Sequence, residues 1–70
     1  MTKTNALDGR EIIIEFIPLG VYVRVSAMDV ETLTEISIQG PKSAAQSVLK
    51  ANALKRLEYV MRKKGLLEKI

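Results

Sequence analysis

The stretch EIIIEFIPLGVYVRVSAMDVETLTEISIQGP, residues 11–41, decides the fold. Three runs rich in β-branched residues, EIIIEFI (11–17), VYVRVSAM (21–28) and LTEISIQ (33–39), are punctuated by PLG (18–20) and DVET (29–32). Branched and aromatic side chains suit a pleated, half-buried surface, whereas Pro, Gly and Asp favour turns. Connections this short join neighbouring strands antiparallel, so the pattern predicts a meander. Pro18 suits the first central position of a type I turn, and Gly20 the left-handed residue that completes a three-residue hairpin loop. Asp29 is placed to bond the backbone two residues on.

Downstream, GPKSAAQ (40–46) signals a helix start. Either Pro41 is the first helical residue or Ser43 and Gln46 form a capping box. No breaker follows until Gly65, which suits the left-handed residue past a helix, with Leu66 folding back onto Met61. At about 100° per residue, Ala45, Leu49, Ala53, Leu57 and Val60 make an apolar stripe with Leu54 and Met61 at its border. The expected fold is α+β: a three-stranded antiparallel β-meander followed by one long C-terminal α-helix packed on one face, in the order β-β-β-α.

A three-residue first turn pairs Ile17 near Val21. One sheet face then carries Ile13, Ile17, Val21, Val23, Val25, Ala27, Ile36 and Ile38, apolar except for Glu11 and Glu15 on the edge strand, and the helix stripe covers it. The opposite face holds Arg24, Ser26, Glu35 and Ser37, with Ile12, Ile14, Phe16 and Tyr22 at one corner. A helix of about 22 residues is roughly 33 Å long, against roughly 23 Å for a seven-residue strand. That mismatch predicts an overhang taking Leu57, Val60 and Met61 partly off the sheet. The expected interface is therefore Ile12, Ile14, Phe16, Tyr22, Leu57, Val60 and Met61.

Seventy residues make one domain with a thin core. The sequence divides into a flexible tail, 1–10, and a single domain, 11–70. It has no cysteine and no histidine, so disulfides, thiolate metal sites and imidazole ligands are excluded. Oligomerisation is the remaining way to support a small core, and a homo-oligomer, most simply a dimer, is expected. Neither a signal-peptide core nor a run of roughly 20 apolar residues is present, so a cytoplasmic location is expected and no membrane partner.

Catalysis lacks its usual parts. Without His or Cys there is no imidazole base and no thiol nucleophile. Glu11 and Glu15 lie about 13 Å apart on an extended strand, too far for a carboxylate dyad. Asp29 and Glu31 lack calcium-loop spacing, and the four glycines are isolated, which leaves no phosphate loop. No enzyme activity, metal or cofactor is expected.

Charge is uneven. Residues 1–41 hold three basic and six acidic side chains, net −3, and residues 42–70 hold eight and two, net +6. The helix segment ANALKRLEYVMRKKG (51–65) raises the question of nucleic acid. Lys55 and Arg62 share one line with Glu58 between them, Arg56 and Lys63 share another, and Lys64 falls under the apolar stripe. Cations near a helix C-terminus are also favoured by its macrodipole, by about 0.3–1 kcal/mol each. A solvated face is the leading reading. Polyanion contact through Lys55, Arg56, Arg62 and Lys63 is the alternative. The β-β-β-α order resembles the end of a double-stranded-RNA-binding domain. The N-terminal helix, long first hairpin loop and lysine cluster of such domains are missing or cut down to PLG and Lys42.

EFIPLGVYVRVSAMDVETLTEISIQGP and LKRLEYVMRKK, spanning roughly residues 11–64, resemble a group of short uncharacterised alphaproteobacterial proteins of a domain of unknown function. The pieces that carry the likeness are EF, G-x-Y-V, A-x-D, the GP before the helix and LEYV-x-RKK. Some members carry the label serine hydroxymethyltransferase, which this chain does not support. That chemistry needs a lysine Schiff base in a large cofactor pocket. Leu33 stands where the pattern leads one to expect glycine. The resemblance supplies no catalytic or binding residues. The functional expectation is a non-enzymatic interaction or adaptor module that self-associates through apolar surface and takes a protein partner not identified by sequence.

Overall fold

The structure is a computed structural model describing Leu7 and residues 9–67. Three antiparallel strands, β1 (Ile12–Leu19), β2 (Tyr22–Asp29) and β3 (Thr34–Pro41), form a sheet in the order β1-β2-β3. One helix, α1 (Gln46–Lys63), follows and packs across β3 and β2. The fold is the α+β meander-and-helix that the punctuation predicts.

The first turn differs from expectation. Leu19 pairs with Tyr22, so the loop is the two residues Gly20 and Val21. Gly20 has φ +66° and Val21 keeps a negative φ, the pattern of a type II′ turn with glycine first. Pro18 lies inside β1 opposite Val23. Because side chains alternate faces, shortening the loop by one residue turns every β1 side chain over. Ile12, Ile14 and Phe16 therefore lie on the helix-covered face and pack against the core with Val23, Ile36 and Ile38. Ile13, Glu15, Ile17 and Leu19 take the open face beside Tyr22, Arg24, Glu35 and Ser37. The faces expected for β2 and β3 hold; those expected for β1 are reversed.

The helix also starts later than expected. Pro41 ends β3 instead of opening the helix, Ala45 is the N-cap residue, and no side chain caps it. Eighteen helical residues are about 27 Å, and eight-residue strands about 26 Å. The lengths match and the overhang disappears. Leu57 and Met61 are fully buried, Val60 is half-buried, and the core stripe runs Leu49, Ala53, Leu57, Met61. Gly40 permits this close packing, since a Cβ there would lie 2.5 Å from Cδ2 of Leu49.

The C-terminal end matches the sequence reading. Gly65 has φ +72°, its N–H donates to the Arg62 carbonyl at 3.0 Å, and the Leu66 N–H to the Met61 carbonyl at 2.9 Å. These are the paired bonds of a Schellman ending. At the inner end of the segment expected to be a loose tail, 1–10, two described residues make contacts with the domain. Leu7 is buried in the core, and Arg10 is bonded to the β2–β3 turn and to the Leu66 carbonyl. Residues 1–6, Asp8 and 68–70 lie outside the described residues.

Candidate functional site

Ladder alternation decides which backbone groups of each edge strand remain unpaired. The Val30 N–H donates to the Glu11 carbonyl at 3.1 Å, so odd-numbered β1 residues bond β2 and even-numbered ones point away. Ile12, Ile14 and Phe16 thus turn both N–H and C=O outward, and Pro18 can offer a carbonyl alone. By the same alternation, the Lys42 N–H to the Val21 carbonyl at 3.0 Å leaves Glu35, Ser37 and Gln39 outward on β3.

The two edges are chemically unlike. On β3 the outward residues place polar side chains on the open face. On β1 they place Ile12, Ile14 and Phe16 under the sheet, on the side where α1 barely reaches. All three are half-buried although they pack against the core. Leu54, on the shoulder of the helix stripe, is half-buried and also packs against the core. An apolar row, called the β1 trough below, therefore runs along β1 beside a backbone edge that is unpaired among the described residues.

The sequence-expected interface residues do not form one surface. Ile12, Ile14 and Phe16 line the trough, Tyr22 stands half-exposed on the open face, and Leu57 and Met61 are sealed in the core. Glu15, Arg24, Ser26 and Glu35 line a shallow polar hollow on the open face, which breaks its apolar continuity. Ile13, Leu19 and Val21 are exposed, a consequence of the two-residue loop.

On α1, Lys55, Arg56, Arg62 and Lys63 are exposed and fall three or four residues either side of Tyr59. The Arg56 guanidinium lies 5.4 Å and the Lys63 ammonium 5.9 Å from the Tyr59 ring centroid. Arg62 bonds Glu58. Grouping the cations as separate lines hides that Tyr59 stands between those lines. Counting three and four residues in both directions from the exposed aromatic is the signal that finds it.

A third cluster is internal. Asp29 is fully buried, and its Oδ2 accepts from Arg10 Nη1 at 3.2 Å, the Thr32 N–H at 2.9 Å and the Thr32 hydroxyl at 2.8 Å. The turn bond reaches three residues on, where two were expected. Burial, the strongest single influence, raises the carboxyl pKa, but the Thr32 and Arg10 bonds together outweigh it and hold it below the ordinary aspartate value. Asp29 Oδ1 is buried with no hydrogen-bond partner among the described residues. Among the described residues, no three acidic side chains come together as metal ligands, and no helix is long and apolar enough to cross a membrane.

Residues 9–64 match the family described as Domain of unknown function (DUF6898). The chain belongs to this family. The DUF6898 match begins one residue before Arg10 and ends one before Gly65, so it takes in the Arg10–Asp29 cluster, the β1 edge and the Tyr59 group. No curated protein and no solved structure matches the chain.

Proposed function

We propose that this domain is a non-enzymatic interaction module of the bacterial cytoplasm that pairs with a second copy of itself through β1. The observation that carries the reading is the coincidence, on one strand, of an unpaired backbone edge and the half-buried row Ile12, Ile14, Phe16. Unpaired edges template further strands, and an apolar row beside the edge supplies the burial that backbone pairing alone lacks.

The register follows from the residues. An antiparallel β1–β1′ pair with Ile14 on the twofold axis sets Ile12 opposite Phe16′ and satisfies every outward group of Ile12, Ile14 and Phe16. Shifting the axis to Glu15 opposes two like carboxylates and calls on Pro18 for an N–H it lacks. Shifting it to Ile13 opposes Glu11 and Glu15′. The favoured pairing is a six-stranded sheet with both helices on one face and the two troughs merged between them.

In that register Ile13 faces Glu15′ across the open face. Ile13 is 46% exposed, so Ile13→Glu leaves the monomer intact while opposing two pairs of carboxylates. Sedimentation at rising concentration should show a dimer for the parent chain and a monomer for Ile13→Glu. The double variant Ile13→Glu/Glu15→Lys, with opposite charges facing, should restore the dimer. A parent chain that stays monomeric at high micromolar concentration sinks the proposal. A dimer indifferent to Ile13→Glu sinks this register.

A further inference from the structure

The outer face of α1 carries a feature that β1 pairing leaves unused. The residues three and four positions either side of Tyr59 are Lys55, Arg56, Arg62 and Lys63, and this spacing places side chains next to one another on a helix surface. Tyr59 is 52% exposed, and its ring sits within cation–π reach of Arg56 and Lys63. Glu58 balances Arg62. Among the described residues, no ion pair holds Lys55, Arg56 or Lys63.

The helix macrodipole explains part of this grouping and no more. Its effect is confined to the last turn, which holds Arg62 and Lys63, and Lys55 and Arg56 lie outside it. With Arg62 already paired to Glu58, Lys55, Arg56 and Lys63 are neighbouring cations around one aromatic that repel one another until an anion joins them. A membrane surface is the poorer partner, because the apolar stripe that would insert is already spent on the sheet. Unpaired bases present faces that can stack on a lone exposed ring, whereas bases inside a duplex do not.

We propose that Tyr59 and its surrounding Lys55, Arg56, Arg62 and Lys63 bind single-stranded nucleic acid without sequence preference. A base stacks on the ring and the flanking phosphates meet the cations. Asn52, exposed and one helical line along from Arg56, extends the contact towards the helix start.

Fluorescence anisotropy with a labelled oligothymidylate and the full chain tests this. Binding is expected at low salt, with log affinity falling against log salt at a slope of about −3 for four phosphate contacts on a single strand. Lys55→Ala or Lys63→Ala should each reduce that slope by about 0.7. Tyr59→Ala should weaken binding about tenfold with the slope unchanged, and Tyr59→Phe should retain it. Every substituted side chain is exposed, so circular dichroism of each variant should match the parent. Absence of binding at low salt overturns the proposal, as does a Tyr59→Ala variant that binds as tightly as the parent. Equal competition by duplex DNA, heparin or anionic phospholipid vesicles overturns it too, leaving a charge effect without a single-strand site.

Discussion

Arg10 reaches across the end of the sheet to the buried carboxylate of Asp29, its Nη1 3.2 Å from Oδ2. The same nitrogen lies 3.3 Å from Glu31, and Nη2 lies 3.3 Å from the Leu66 carbonyl. One guanidinium thus joins the lead-in, the β2–β3 turn and the end of the helix. Arg10→Ala leaves Asp29 buried with only its Thr32 bonds, and should cost about 3 kcal/mol in urea denaturation. Arg10→Lys, unable to fork to several acceptors, should recover part of this.

The same pair sets an acid dependence. The Asp29 carboxyl is held below its unfolded-state pKa. Its contribution is therefore complete above that unfolded value, near pH 4, and is lost as pH falls through the lower folded value. Stability measured from neutral pH downward should fall in this acid range. The fall should be shallower in Asp29→Asn, whose starting stability is lower by about 1–3 kcal/mol.

Leu33 carries the one positive φ found outside glycine among the described residues, +60°, in the turn that leads into β3. Its N–H closes that turn on the Asp29 carbonyl at 2.7 Å, and its side chain is 70% exposed. The left-handed conformation costs an L-residue about 1–2 kcal/mol, and no burial offsets it. Leu33→Gly should raise the thermal midpoint, worth about 1 kcal/mol; an unchanged or lower midpoint contradicts this account of the turn.

The β1 register is testable by stability at concentrations where the chain is monomeric. Ile14→Ala removes methyl groups packed on the core and should cost about 2 kcal/mol. Ile13→Ala, one residue away on the open face, should stay within about 0.5 kcal/mol. A reversed order would restore the three-residue loop and the opposite strand face.

Close packing of helix on sheet rests on Gly40 and Leu49. Gly40→Ala forces the Leu49 side chain to move within a buried site and should destabilise by about 1–3 kcal/mol. In a Leu49→Ala background the obstruction is gone and the added cost should largely vanish. A double-mutant cycle reads this as coupling; additive effects would show that the two residues do not meet.

The sequence by itself determined the β-β-β-α order, the inner rows of β2 and β3, and the helix ending at Gly65. In each, one local signal had no rival. Arg24, Ser26, Glu35 and Ser37 mark one face as wet, and Gly65 alone interrupts the run after Pro41. The β1 faces were left to tertiary structure and come out opposite to expectation, because PLG reads as a three-residue loop, and one residue in the Gly20 loop reverses every β1 side chain. A weak opposing hint is present: Glu11 and Glu15 share the row of Ile13 and Ile17, whereas Ile12, Ile14 and Phe16 form a row without a charge. The shorter loop moved the exposed apolar surface from a sheet corner to the β1 edge. The Arg10–Asp29 contact likewise spans 19 positions, and chain spacing carries no sign of it until the sheet and helix ends are brought together. The Tyr59 group lies between these cases. Its spacing is written in the chain, but its exposure was decided when the opposite stripe of α1 was buried against β2 and β3.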